Sequence, residues 1–235
     1  MVKKIVGFLK RTGLYYTRPM YWLKNRALQF MGRSMQKNGM ACLTEIHRAM
    51  GEAGCEYWVD FGTLLGLHRE GRLLKHDFDI DFSIMGENYS DQVKKSLKKR
   101  GFQLHKEYFA FGKVVEQSWR WKGVFVDLFM YQRKGDKMFH YEFYTDKEVE
   151  ETKVSEKVYR FSGLDARTVL VPPVVPVVKK LGGISVMVPK DREDHLRRMY
   201  GKNYMVPDKS WQPLKRPNVF QIENLEMYAY RYVIK

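Results

Sequence analysis

Three carboxylates, Asp77, Asp79 and Asp81, stand at every second position of His76-Asp77-Phe78-Asp79-Ile80-Asp81-Phe82. Like charges crowded this closely repel, and a chain gains little from them unless a cation sits between them. In an extended strand, residues two apart share a face, so Asp79 and Asp81 project together while Ile80 and Phe82 turn to a core. Asp127 is a further acid, set alone in the apolar run Val124-Phe125-Val126-Asp127-Leu128-Phe129-Met130. A lone buried carboxylate is costly unless a cation or hydrogen bonds compensate it, and a bond from backbone amides or an arginine is the plainer alternative. Two acids from one strand and one from another form a cup for Mg²⁺, or Mn²⁺ in its place, against substrate phosphates. Asp79, Asp81 and Asp127 are therefore the candidate metal ligands and catalytic residues of a phosphoryl-transfer site.

A site for phosphate needs donors as well as metal. Gly62-Thr63, inside Asp60-Phe61-Gly62-Thr63-Leu64-Leu65-Gly66, reads as a turn into a helix. There a glycine lets phosphate approach backbone amides and the Thr63 hydroxyl adds a donor. Arg69, Arg72 and Lys75 lie between this turn and the acids and are placed to neutralise diphosphate charge. His68 and His76 are nearby; His76 reads as a hydrogen-bonding partner of the acids before it reads as a proton carrier. A calcium loop beginning at Asp77 would need Gly at its sixth position and Glu at its twelfth. Phe82 and Asn88 stand there, which excludes it.

The elements that must position these residues follow from periodicity. Met40, Leu43, Ile46, Met50 and Ala53 recur at helical spacing, with Gly54 as a left-handed stop. Glu56 to Phe61 reads as a buried strand, followed by a short helix that Gly71 ends. The carboxylate strand runs from about Asp79 to Ile84, then a helix from an N-cap at Ser90 to Arg100, closed by Gly101. From Phe102 to about Tyr144, turn signals at Phe111-Gly112-Lys113, Lys122-Gly123 and Lys134-Gly135-Asp136 divide antiparallel strands. Residues 145 to 157 read as a charged connection or short helix. Pro172, Pro173 and Pro176 exclude a regular helix through their stretch. A helix is expected from Asp191 to Tyr200, ending at Gly201, and another from near Asn218.

The chain of 235 residues, 44% hydrophobic, can bury an ordinary core. Its 42 Lys and Arg against 27 Asp and Glu give +15, so partners carry negative charge. The two cysteines, Cys42 and Cys55, form no C-x-x-C pair, which argues against a zinc site or a disulfide framework. Residues 1–33 mix Lys and Arg with Phe, Tyr, Trp and Leu and read as a basic amphipathic segment, suited to an anionic membrane surface or to packing on the domain. The apolar run near Met1 is too short for a signal peptide, and no stretch reaches a membrane span of about 18 residues. A cytoplasmic protein, peripheral on the inner membrane face, is the expectation, with residues 34–235 forming one catalytic domain.

The motif Trp58-Val59-Asp60-Phe61-Gly62-Thr63-Leu64-Leu65-Gly66, Arg69, then Asp77-Phe78-Asp79-Ile80-Asp81, resembles the central motif of the LicD, fukutin and fukutin-related protein family. Val126-Asp127-Leu128-Phe129 and the segment Pro189-Lys190-Asp191, Leu196, Tyr200-Gly201, Tyr204 extend the resemblance over roughly residues 45 to 210. It implies an α/β (α+β) fold, a nucleotidyltransferase-type mixed sheet flanked by helices, here with a basic N-terminal helical extension. It also implies Mg²⁺-dependent transfer of a phospho-alcohol, such as phosphocholine or ribitol phosphate, from a CDP-linked donor to a hydroxyl of a cell-surface or lipid-linked glycan, releasing CMP. In that scheme Asp79 and Asp81 bind Mg²⁺, Asp127 binds metal or acts as base, and Asp77 supports them. Glu70, Lys75 and His76 depart from the family pattern, which bears on the donor more than on the reaction. The rival enzyme moves a nucleoside monophosphate from a triphosphate to a sugar, antibiotic or RNA end. A non-enzymatic nucleic-acid-binding protein fits the charge but not the dense acids.

Overall fold

The computed structural model describes residues 18–75, 77–144, 149–208, 218–222 and 227–234, with the backbone alone given for 18–31, 144, 221 and 222. Helix α1 (Arg18–Ala53) is the longest element. Leu43, Ile46 and Met50 are buried along one face of it, as their spacing predicts, and Gly54 follows with φ 61°. The helix runs unbroken through residues 33 and 34, where the sequence suggested a division. Residues 1–17 of the basic segment and His76 lie outside the described residues. Among those described, no helix is long and apolar enough to cross a membrane.

The strand expected over Glu56–Phe61 is only β1 (Trp58–Val59). Asp60 ends it by capping α2 (Phe61–Glu70): its carboxylate accepts the Phe61 N–H, so the chain turns helical earlier than the apolar run suggested. Gly62 and Thr63 thus lie in the first turn of the helix instead of before it. β2 (Asp79–Met85) carries the acids, and α3 (Asp91–Lys99) follows with Val93 and Leu97 buried. Arg100, at the end of α3, pairs with Glu45 at 2.6 Å and with Glu52, tying that helix to α1.

β3 (Gln103–Ala110), β4 (Lys113–Trp121), β5 (Val124–Lys134) and β6 (Lys137–Tyr144) form successive hairpins. Both Phe111-Gly112 and Lys122-Gly123 have positive φ, the backbone of a tight two-residue turn matched to strand twist. β7 (Glu150–Ser155), β8 (Val158–Ser162) and β9 (Asp165–Val171) follow. The hairpin of β10 (Pro176–Leu181) and β11 (Ile184–Pro189) stands apart, and α4 (Arg192–Tyr200) stops at Gly201 as expected. β12 (Val219–Ile222) and β13 (Met227–Tyr232) complete the order. Two regions expected to be a connection or a helix are strands: residues 150–155, in the charged stretch, pair with β8, and residues 219–222 pair with β9. Cross-strand pairing overrides their weak local pattern.

The result is a mixed α/β protein built on one large sheet, with strand order β12-β9-β6-β5-β4-β3-β13-β8-β7 and with β2 joined to β5 and β1 to β2. Among the described residues its pairs are antiparallel except one: β2 runs parallel to β5. Ile80, Phe82, Val126, Leu128 and Trp119 point from the inner face into a core with Leu43, Ile46, Leu64, Val93 and Leu97. Alternation then sends Asp79, Asp81 and Asp127 to the opposite face.

Candidate active site

The parallel register of β2 and β5 sets Asp79 opposite Phe125 and Asp81 opposite Asp127. Asp79, Asp81 and Asp127 each offer an oxygen, and the three oxygens lie within 4.8 Å of one another. Asp127 is therefore not a charge inside the apolar core: it alternates with Val126 and Leu128 and is half-buried on the outer face. The Ser118 hydroxyl, directly opposite it on β4, donates to its carboxylate.

Among the described residues no cation lies within ion-pair distance of the three acids, and Asp127 has partial relief from the Ser118 bond and the charge of Lys106. Burial, then Asp79, Asp127, Asp77 and Asp60, holds the Asp81 carboxyl well above the usual range. Burial also raises Asp79. It pushes Asp127 up to about 6, with the charge of Asp79 adding to the shift and the Ser118 bond opposing it. Asp77 is likewise pushed up to about 6 by burial and Asp79, against the charge of Arg69. A set of hard carboxylate oxygens this close, each reluctant to ionise beside the others, fits a small divalent cation such as Mg²⁺ or Mn²⁺.

The glycine motif positions these acids from behind. A Cβ at Gly62 would strike the Asp77 carboxylate, and one at Gly66 would lie 2.7 Å from the Arg72 carbonyl oxygen, where the chain folds back on α2. Thr63 is buried, and its hydroxyl oxygen accepts the Asp81 N–H at 2.9 Å. The contact that the structure shows for Thr63 is thus to the strand that carries the acids. Arg69 pairs with Glu70 at 3.0 Å and keeps a buried Nε without a hydrogen-bond partner. Arg72 is exposed and pairs with Glu70 at 3.3 Å. Lys75 lines a shallow basic depression with Arg33 and Lys37 of α1. His68 accepts from Arg192 at 3.1 Å and touches Tyr204, joining α2 to the C-terminal helix.

Three further residues stand out that the sequence did not single out. Asp60 is completely buried and receives the Trp58 indole, the Phe61 N–H, the Ser83 and Tyr131 hydroxyls and His195 Nε2, at 2.7 to 3.1 Å. Burial opposes its ionisation, yet the charge and hydrogen bond of His195, with the Phe61 and Ser83 donors, hold its carboxyl well below the usual range. An Asp directly before a glycine-containing apolar helix is an N-cap signal by which Asp60 was open to recognition; nothing local marks His195, which arrives from α4. Ser118 is the third, visible only once β4 is placed against β5.

A model of the LicD/FKTN/FKRP nucleotidyltransferase domain matches residues 54–191, which span both acid strands and more than half of the chain. The chain belongs to this family. Among curated proteins, mouse ribitol-5-phosphate transferase FKTN is 25% identical over 70% of this chain and 32% of its own length. The human protein of that name is 23% identical over 78% of this chain and 37% of its length. An uncharacterized protein of Rickettsia typhi is 26% identical over 42% of this chain and 30% of its own. The chain spans about a third of the length of these relatives.

Proposed function

We propose that this LicD-family chain is a transferase that moves a phospho-alcohol, such as ribitol phosphate or phosphocholine, from a CDP-linked donor to a glycan hydroxyl and releases CMP. The observation that carries the reading is the acid triad that the parallel β2–β5 pair assembles in a chain of this family. The relatives named as ribitol-5-phosphate transferases favour an alcohol phosphate as the transferred group.

Asp79, Asp81 and Asp127 would hold Mg²⁺, which when bound there neutralises the donor diphosphate and the charge that develops on it. The acceptor hydroxyl attacks the phosphorus bearing the alcohol in line with the departing CMP oxygen. A new P–O bond to the acceptor forms as the P–O bond to CMP breaks. Asp127, steadied by Ser118, orients the hydroxyl and takes its proton. Thr63 fixes the backbone of Asp81, Gly62 leaves room for Asp77, and Arg69 offsets the Asp77 charge. Arg72 and Lys75 are the more distant candidates for meeting donor phosphate.

Purified protein with Mg²⁺ and a panel of CDP-ribitol, CDP-choline and CDP-glycerol tests this, with CMP read by chromatography in the presence and absence of glycan acceptors. CMP release that Asp79→Asn abolishes is expected; no CMP from any donor removes the reading. The family's nucleotidyltransferase domain favours one second reading, transfer of a nucleoside monophosphate, and pyrophosphate release from a triphosphate would select it. If the acceptor is lipid-linked, residues 1–33 would hold the enzyme on an anionic leaflet at the cytoplasmic face. Co-sedimentation of the full chain and of a chain starting at residue 34 with anionic liposomes separates the two cases, and equal pelleting removes that role.

A further inference from the structure

Helix α1 and the loop that leads into the acid strand meet through glycines. A Cβ at Gly39 would strike the Leu73 side chain, and one at Gly32 would stand 3.6 Å from the Phe78 ring, so the loop lies close against the helix. Between the two elements is an open depression of about 520 Å³, lined by Gly32, Arg33, Gln36 and Lys37 of α1 and by Lys75 of the loop. Three cations from two separate elements thus border one concavity, where like charges reinforce one another's field. Among the described residues no carboxylate lies within ion-pair distance of Arg33, Lys37 or Lys75.

Other cations near these elements are paired. Further along α1, Arg48 and Arg100 share Glu45, and Arg100 also holds Glu52. At the end of α2, Arg69 and Arg72 share Glu70. The reason for the contrast lies in the sequence: residues 1–44 hold nine Lys and Arg and no Asp or Glu, and Glu45 is the first acid of the chain. An anion for the depression must therefore come from outside this stretch. Helix α1 also runs on from the depression through residues 18–31, about 21 Å at 1.5 Å per residue. That length adds Arg18, Lys24 and Arg26 to Tyr21, Trp22 and Phe30, the composition of a helix at a membrane interface.

We propose that the depression formed by Arg33, Lys37 and Lys75 binds the phosphate of an anionic lipid head group. The site is more than a basic tether, because Lys75 comes from the loop after α2 and gives the helix a partner across the concavity. It does not rest on the transfer reading, since charge and shape alone select the ligand. The open form of the depression and the acid-free helix beyond it favour a head group held in a bilayer over a phosphate free in solution. Guanidinium and ammonium groups bind phosphate oxygens through charge-assisted hydrogen bonds, and the Gln36 amide can add a neutral one. Lys75 stands two residues before Asp77, so the membrane contact falls on the loop that carries the chain into the acids.

The probes are vesicles of phosphatidylcholine alone and of an equal mixture with phosphatidylglycerol, co-sedimented with the full chain at fixed ionic strength. Binding to the anionic vesicles alone is expected, weaker by about tenfold or more in the double variant Arg33→Gln/Lys37→Gln and by about fivefold in Lys75→Gln. Arg33 and Lys37 are exposed, so the double variant should fold as the unmodified chain does. The control Lys134→Gln/Lys137→Gln removes the same charge at the β5–β6 turn, at the opposite end of the β2–β5 pair from Phe78, and should stay within about twofold. Equal loss in the control, equal binding to neutral vesicles, or unchanged binding in the double variant each overturns the site. Soluble glycerol 3-phosphate, titrated by calorimetry, separates the sources of phosphate: saturable binding that the double variant loses would make the ligand a free phosphate and overturn the lipid assignment. Loss of affinity for CDP with Mg²⁺ in the double variant would give the depression to a nucleotide and overturn it as well. Vesicle binding is read without turnover, so a failure to release CMP removes the transfer reading and leaves this one standing.

Discussion

Asp60 and Asp81 are adjacent in space, joined by the Asp60 N–H to the Asp81 carbonyl at 3.1 Å, yet their carboxylates live in opposite conditions. Asp60 has no exposed surface and collects five donors from Trp58, Phe61, Ser83, Tyr131 and His195. Asp81 shares a cup with Asp79 and Asp127 on the β2–β5 pair, and the charges of Asp79, Asp127, Asp77 and Asp60 all oppose its ionisation. One carboxylate is satisfied by the fold; the other is left for something the fold does not supply. Burial taxes both, so the difference lies in the partners. A buried acid with a full set of donors is structural, while buried acids that chiefly face one another mark a place for a cation.

The sharpest way to break this contrast is to remove one charge from the second group. Asp79→Asn or Asp81→Asn should lower CMP release by about a hundredfold to a thousandfold, the scale of losing one preorganised charge-stabilising group. The same substitution should raise the melting temperature of the metal-free protein, because it relieves repulsion. A variant that lost both activity and stability would show that the triad, like Asp60, holds the fold together. Activity is read by CMP chromatography and stability by thermal denaturation in EDTA.

The matching change at Asp60 should act in the opposite sense. Asp60→Ala leaves His195, Trp58, Ser83 and Tyr131 facing an empty acceptor position and frees the first turn of α2. Breaking a buried pair of this kind costs about 3–5 kcal/mol, read by urea denaturation. A double-mutant cycle with His195→Ala should show coupling of about 1–3 kcal/mol, since the two groups bond directly at 2.7 Å. Additive losses would mean that His195 reaches Asp60 without depending on it.

Why one of these groups was legible in the sequence and the other was not follows from where the partners come from. Asp79 and Asp81 announce themselves because both lie on a single strand and alternation alone gives them a common face. Asp127 could be named as an outlier in an apolar run, although its own alternation places it on the outer face and not in the core. Asp60 shares its motif with Gly62 and Gly66, but its donors are drawn from β1, β2, β5 and α4, and spacing carries no signal for contacts 135 residues apart such as Asp60 with His195. The same limit explains the strands at 150–155 and 219–222, whose only reason to be extended is a neighbour's free edge. It also explains Ser118 and Lys106, which become part of the acid surface through register.

The contrast also has a pH signature. Asp77 and Asp127 are raised from 3.8 to about 6, so between these values the folded metal-free protein binds more protons than the unfolded chain. These two acids should therefore take stability away as pH rises from about 4 to about 6, whereas His105, whose imidazole burial and nearby cations hold down to about 4, adds stability over the same rise. Asp60 contributes nothing to this window, because its lowered carboxyl stays ionised throughout. If the triad holds Mg²⁺ as proposed, the ion favours the ionised acids of the folded state and should recover stability most at the higher pH. Melting temperatures at pH 4.5 and 7.5, in EDTA and in Mg²⁺, test this; Asp77→Asn should flatten the metal-free slope. An Asp77→Asn slope no different from that of the unmodified chain would mean that the acids are already compensated within the protein.

The smallest effect concerns the seam where the two groups meet. The backbone of Asp81 is held at both ends: its carbonyl accepts the Asp60 N–H, and its N–H donates to the Thr63 hydroxyl at 2.9 Å. Thr63→Val keeps the shape but removes that acceptor, leaving a backbone donor unpaired at a cost of about 1–3 kcal/mol. Thr63→Ser restores the oxygen and should restore most of the stability. If Thr63 serves to aim Asp81, the Val variant should also weaken Mg²⁺ binding while the Ser variant does not. Should Val instead lose affinity for CDP with Mg²⁺ binding unchanged, the hydroxyl meets the donor phosphate, as its place beside Gly62 first suggested. Calorimetric titration of each variant with Mg²⁺ alone, and then with CDP, distinguishes the two roles.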